Sequence, residues 1–179
     1  MAKKVTVIST SIRPNSNSEL LAKSFAEGAE AAGNEVTFVT LKDKDIRFCR
    51  GCLSSHQTGK CIIQDDVAPI MDAVLQADVV AWATPIYYFE MSGQMKTLID
   101  RMNPMYPKDY RFRDVYFLAT AADEGDDVFA KAETGLTGWL DCFPKTTLKG
   151  SVYCGGVTGG GAISGNAKLA EARALGAQV

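Results

Sequence analysis

Residues 77–102 read ADVVAWATPIYYFEMSGQMKTLIDRM, and the organisation of the chain follows from them. Val79-Val80-Ala81-Trp82-Ala83 is a short apolar run, too brief and too β-branched at its start for a buried helix. It reads as a strand covered on both faces, as in a parallel sheet. Thr84-Pro85 is expected to stop it, because proline cannot donate to a ladder. Ile86, Tyr87, Tyr88 and Phe89 then place four bulky residues in a loop. So much aromatic surface there implies a flat ligand or another chain lying against it. Met91, Met95, Leu98, Ile99 and Met102 fall at helical spacing around and beyond Ser92-Gly93, while Lys96, Asp100 and Arg101 read as a solvated helix face with i, i+4 pairing.

Upstream, Val5–Ile8 is a β-branched strand that gives way to a polar loop, residues 9–18, dense in hydroxyls and amides with one arginine, Arg13. A helix follows with Leu21, Phe25, Gly28, Ala29 and Ala32 on one face and Gly33-Asn34 at its end, and Asn17 or Ser18 is the expected N-cap. A second strand covers residues 36–41, and Asp65-Asp66 opens a helix carrying Val67, Ile70, Met71, Val74 and Leu75. Downstream, Val115–Ala119 is a fourth strand ending at Thr120-Ala121-Ala122-Asp123. A helix carrying Phe129, Ala132, Leu136 and Trp139 follows, then a strand at Ser151–Val157, a triple-glycine loop and a final alanine-rich helix. Strict βα alternation with short connections predicts one domain over 1–179, an α/β sandwich whose five-stranded parallel sheet has helices on both faces. The usual order for five strands is 2-1-3-4-5, with a switch point between strands 1 and 3. The loops after those two strands, 9–18 and 84–93, are the two singled out by composition.

Bulk properties narrow the partners. With 19 basic against 21 acidic residues the net charge is −2, so nothing favours nucleic acid or a membrane surface. No apolar run approaches the roughly 18 residues of a spanning helix, and no signal-peptide core precedes the first strand. Five cysteines, three of them at 49, 52 and 61, do not form a secreted disulfide framework, so a cytoplasmic location is expected.

A strand, a polar loop and a helix N-terminus together make an anion site, because unpaired N–H groups and the positive end of the helix dipole face one point. The loop lacks a Walker ending and a Gly-x-Gly-x-x-Gly turn, which argues against an NTPase and a Rossmann-type dinucleotide site. His56 is the sole histidine and no serine sits in a Gly-x-Ser-x-Gly elbow, so hydrolase triads have little support. Asp123-Glu124 and Asp126-Asp127 read as capping and dipole charges.

Three motifs fall in order on these elements: Ser11-x-Arg13-x-Asn15-Ser16-Asn17-Ser18; Cys49-x-x-Cys52 with Thr58-Gly59-Lys60-Cys61 and Asp65-Asp66; and Thr84-Pro85-Ile86-Tyr87-Tyr88-Phe89 with Met91-Ser92-Gly93 and Lys96 through Asp100-Arg101. In these the chain resembles the flavodoxin-like NAD(P)H-dependent FMN reductases, close to the branch of iron–sulfur flavoproteins. The resemblance implies a flavodoxin-like fold and FMN as cofactor. Ser11, Arg13, Asn15, Ser16, Asn17 and Ser18 would lie at the phosphate, with Pro85, Ile86, Tyr87, Tyr88 and Phe89 along the ribityl chain and ring edge. Thr120, Ala121, Ala122 and Asp123 would form the loop beside the ring. It further implies NAD(P)H as reductant, a small-molecule acceptor such as a quinone, a nitro- or azo-aromatic or free flavin, ping-pong kinetics, and a homodimer or higher homo-oligomer with flavin near the subunit contact. No side chain is needed as a nucleophile, because the flavin performs the chemistry. The alternatives are a flavodoxin-like electron carrier, which is usually far more acidic, and a redox or metal sensor built on the cysteines.

In iron–sulfur relatives the cysteine segment carries four close cysteines, and one of those positions is Ser55 here. A serine hydroxyl is hard to deprotonate, so no [4Fe–4S] cluster and no resident metal are expected. Cys-x2-Cys-x3-His-x4-Cys through His56 approaches a zinc-knuckle spacing, but a domain with a full sheet core does not need a metal to fold.

Overall fold

Strands β1 (Lys4–Ser9), β2 (Glu35–Thr40), β3 (Val79–Tyr87), β4 (Glu90–Met91), β5 (Asp114–Thr120) and β6 (Thr147–Cys154) are interleaved with six helices. These are α1 (Asn17–Ala31), α2 (Ser54–Thr58), α3 (Val67–Gln76), α4 (Gly93–Arg101), α5 (Asp126–Leu140) and α6 (Ala167–Gly176). The computed structural model describes all 179 residues. Five strands are parallel in the order β2-β1-β3-β5-β6, which is the expected flavodoxin-like 2-1-3-4-5 sheet. The two-residue β4 is an addition, antiparallel to the end of β3.

Both faces of the sheet are covered, so β1 and β3 are buried almost end to end, as their unbroken apolar runs required. On one face, Leu21, Phe25 and Ala29 of α1 and Ala172 of α6 cover Val5, Val7, Ala81 and Leu118. On the other, Val74 of α3, Leu98 of α4 and Leu136 of α5 cover Ile8, Val80, Trp82 and Phe117. Helices α1 and α6 approach unusually closely. A Cβ at Gly28 would lie 2.0 Å from the Arg173 carbonyl oxygen, and one at Gly176 would lie 2.0 Å from that of Phe25. The helices cross backbone against backbone, and only glycine fits at either point.

Two local expectations are corrected. β3 does not stop at Thr84-Pro85 but runs to Tyr87, with Pro85 beside Thr120 of β5. The Ala83 carbonyl accepts from Thr10 N–H at 2.9 Å and therefore faces β1. Two residues on, the Pro85 nitrogen faces the same side, at a level where β1 has already ended, so no ladder donor is missing. The N-cap of α1 is Ser16, not Asn17 or Ser18: its Oγ accepts from Glu19 N–H at 3.4 Å.

Candidate functional site

The loops after β1, β3, β5 and β6 meet at the carboxyl edge of the sheet. After β1, Ser11, Ser16, Asn17 and Ser18 are buried while Arg13 and Asn15 are exposed. Ser16 and Ser18 hydroxyls face each other at 3.1 Å, and Arg13 N–H donates to Ser11 Oγ at 3.3 Å. The backbone N–H groups of Asn15, Ser16, Asn17 and Ser18 have no acceptor within the protein. These four consecutive donors lie at the positive end of a 15-residue helix. The one acid in the first turn, Glu19, is paired with Lys23 at 2.6 Å.

Asn17 has another task as well. Its Nδ2 donates to the carbonyls of Val157 (3.3 Å) and Gly159 (2.8 Å), and its Oδ1 accepts from Ile163 N–H at 3.2 Å. Arg13 Nη1 donates to Thr158 O at 2.8 Å. The loop after β6 is thereby tied against the polar loop. Asn15, at φ 52°, presses so closely on it that a Cβ at Gly161 would sit 2.3 Å from Asn15 Nδ2. The role of residues 155–163 as a wall of this site was not anticipated, although the glycine cluster was the available signal.

After β3 the aromatic run divides. Ile86 is buried in the core opposite Met91, Pro85 is half-buried and Tyr87 is exposed at the strand end. Tyr88 and Phe89 form the two-residue turn to β4, with φ 51° and 65°. Glycine, asparagine and aspartate favour that geometry, whereas adjacent aromatics there are strained. Tyr88 is 99% exposed, and Lys131 Nζ of α5 sits 4.0 Å from the Phe89 ring centroid. A relay of buried hydroxyls joins this loop to the first: Thr10 Oγ1 donates to Ala83 O (2.9 Å) and lies 3.2 Å from Ser92 Oγ, while Ser92 N–H donates to Thr84 Oγ1 (3.0 Å). Ser92 also caps α4 by accepting from Met95 N–H. The sequence reading missed Thr10, although Thr84 and Ser92 lay in its motifs.

In the third loop Thr120 and Ala121 are buried, and Ala122 and Asp123 are exposed. The Asp123 carboxylate accepts from Gly125 N–H (2.8 Å), and its carbonyl accepts from the Tyr153 hydroxyl (2.5 Å). Burial and then the neighbouring Asp123 charge push the Tyr153 phenol up, keeping it a donor.

Beside these loops lies the cysteine segment. Arg101 was expected on a solvated face, as Lys96 and Asp100 are, which pair at 2.6 Å. Instead its guanidinium is buried and holds Asp65 in a two-point ion pair, Nη1–Oδ2 2.5 Å and Nη2–Oδ1 3.0 Å. It also donates to the carbonyls of Arg47 and Ile63 and to Cys61 Sγ. Helical spacing could not show this, because the partner arrives from 36 residues away. The His56 ring lies parallel to that of Tyr106, centroids 6.3 Å apart. No three His, Cys, Asp or Glu side chains converge in a metal-binding arrangement.

An iron–sulfur flavoprotein of Methanocaldococcus jannaschii is 37% identical over 102 residues, covering 57% of this chain and 53% of that protein. The chain spans about a third to a half of the length of the curated relatives it matches first. Two solved structures share the fold with a TM-score of 0.74: an NAD(P)H:quinone oxidoreductase from Methanothermobacter marburgensis and an azoreductase from Bacillus anthracis. The first is 16% identical, covering 99% of this chain and 96% of that one; the second is 17% identical and covers both completely. No helix is long and apolar enough to cross a membrane. Residues 3–174 match the sequence pattern of one family throughout, and the chain belongs to the NADPH-dependent FMN reductases.

Proposed function

We propose that this protein is an NAD(P)H-dependent oxidoreductase that holds FMN in the cleft between the loops after β1, β3 and β5 and reduces a small aromatic acceptor. FMN is the family's cofactor, and bound there it supplies two-electron exchange with a nicotinamide and with the acceptor. The observation that carries the reading is the set of unpaired N–H groups at Asn15–Ser18 beside the Ser11, Ser16 and Ser18 hydroxyls and Arg13. A phosphate dianion supplies the acceptors that these N–H groups lack. In this reading residues 85–89 and 120–123 would flank the flat ring, Ile86 through its backbone because its side chain lies in the core. In this reading Asn17 serves the phosphate through its backbone and the loop after β6 through its side chain.

The chain's own residues orient and shield. The hydroxyl relay of Thr10, Thr84 and Ser92 fixes the first two loops relative to each other, and the aromatic turn excludes water from the ring edge. The open side of the cleft serves reductant and acceptor in turn, so double-reciprocal plots against a quinone should be parallel. Intersecting lines, or no NADPH oxidation without a partner protein, would favour the flavodoxin-like carrier instead. A quinone, a nitro- or azo-aromatic and free flavin all fit a flat, partly apolar site.

Ser18→Ala is expected to weaken FMN binding roughly tenfold to a hundredfold, the worth of a charge-assisted hydrogen bond, while riboflavin affinity barely moves. Flavin fluorescence titration measures both, and equal losses for the two flavins would reject a phosphate at this loop.

The strained turn suggests a contact between subunits. In a homodimer Tyr87, Tyr88 and Phe89 would lie against a second copy, aromatic side chains being enriched at interfaces. Tyr88→Asn suits a positive φ, and is expected to raise the folding stability of the isolated chain by about 1 kcal/mol while weakening self-association. Sedimentation at micromolar concentration with flavin bound is the check. A wild-type monomer there sinks the dimer.

A further inference from the structure

Cys49, Cys52 and Cys61 line one cavity at the C-terminal end of α4, and Arg101 and Asn103 form part of the same wall. Left-handed turns at Gly51 (φ 62°), Leu53 (φ 56°) and Gly59 (φ 68°) fold the segment back so that these thiols share it. Two of the sulfurs receive donors from the end of α4 and the turn after it: Arg101 Nη2 lies 3.5 Å from Cys61 Sγ, and Asn103 Nδ2 lies 3.6 Å from Cys49 Sγ. Gly51 N–H also donates to Cys49 Sγ, at 3.4 Å. The Arg101 guanidinium is fixed by Asp65, and its buried Nε has no acceptor. The other two cysteines lack such a setting. Cys142 is exposed with only the Gly138 carbonyl as partner, and burial pushes the Cys154 thiol up, against a smaller opposite pull from Lys168.

The thiolate is the nucleophilic form of cysteine, and the Arg101, Asn103 and Gly51 donors are placed to hydrogen-bond these two sulfurs. The geometry points to Cys61 as an oxidation site for hydroperoxides, with Cys49 as its resolving partner. Cys61 thiolate attacks a peroxide oxygen, an S–O bond forms and the O–O bond breaks. The departing alkoxide or hydroxide takes a proton from water, the sulfur having lost two electrons and the peroxide having gained them. Cys49 then attacks the sulfenic sulfur, an S–S bond forms, and the S–O bond breaks to release water. Cys61 is half-buried and Cys49 exposed, so both steps are open to solvent species. Neither step uses flavin or nicotinamide, so this inference stands or falls separately from the proposed reductase activity.

The test uses the full-length, flavin-loaded protein, reduced and freed of reductant, exposed to limiting hydrogen peroxide without NADPH and then alkylated and mapped by peptide mass. Cys61 should be consumed at least about tenfold faster than Cys142. The oxidised chain should lose the mass of two hydrogens, with Cys49 linked to Cys61. In Cys49→Ser, dimedone should trap a sulfenic acid at Cys61, and an unchanged circular dichroism spectrum would show that the variant is folded. Equal rates at Cys61 and Cys142 would overturn the assignment. So would a Cys49–Cys52 link that leaves Cys61 free to alkylate.

Discussion

Arg101→Met should lower the free energy of unfolding by about 3–5 kcal/mol, because it leaves the Asp65 carboxylate as an unpaired charge in the interior. Both side chains are 1% exposed, so water cannot take over the role of the guanidinium. The Arg47 and Ile63 carbonyls lose their Arg101 donor in the same step. Removing both charges, as in Arg101→Met with Asp65→Leu, should recover much of the loss, since the worst consequence is a charge without its partner. Urea denaturation at neutral pH reads both variants, and a single variant within about 1 kcal/mol of wild type would refute the buried-pair account.

The pair also sets an acid dependence. Burial pushes the Asp65 carboxyl up, but the Arg101 guanidinium and the N–H groups of Arg47 and Val67 more than offset it, leaving it below its ordinary 3.8. A folded-state value below the unfolded one means that the stabilisation is complete above the unfolded value. It is lost as pH falls through the folded one. The stability gap between wild type and Asp65→Asn should therefore be constant near neutrality and narrow only under acid conditions below 3.8.

The second large effect falls on the opposite face of the sheet. Gly28→Ala should cost about 3 kcal/mol, the upper part of the range for overpacking, despite the roughly 1 kcal/mol that alanine normally gains over glycine inside a helix. The obstacle is a backbone carbonyl 2.0 Å from the new methyl group, which no rotamer change can move. Helix α6 must shift as a body. Gly176→Ala meets the mirror-image obstacle, the Phe25 carbonyl at 2.0 Å. Once the helices have separated for one methyl group the second has room, so the double variant should lose clearly less than the sum of the singles. Strict additivity would show that the contacts are independent.

What the sequence disclosed was what short-range chemistry determines. Alternating apolar runs and periodic helices gave the strand order, because right-handed crossovers leave few ways to stack five such units. The polar stretch after the first strand and the aromatics after the third were visible as composition misplaced for ordinary loops. The hidden features depend on distant partners. Arg101 has the local appearance of Lys96 and Asp100, and only the arrival of Asp65 draws it inside. Pro85 looks like a strand terminator, and continues β3 only because β1 is shorter. Gly28 was legible as part of an apolar face, but its close crossing with α6 was not. Ser16 caps α1 while the Asn17 side chain is held by residues more than a hundred positions later.

That last contact has a bearing on how the protein is made. Asn17 meets Val157, Gly159 and Ile163 across sequence separations of 140, 142 and 146 residues. A growing polypeptide emerging from the ribosome displays residues 9–18 long before these partners exist. Until then the anion loop lacks one wall, and α1 lacks the α6 surface on which it rests. Closing so long a loop is slow, so this corner should be among the last to order. On the proposed reading, the flavin site is therefore complete only after residues 157–163 have emerged. Proteolytic trimming that removes residues 157–179 would be expected to empty it while leaving β1, β3 and β5 paired.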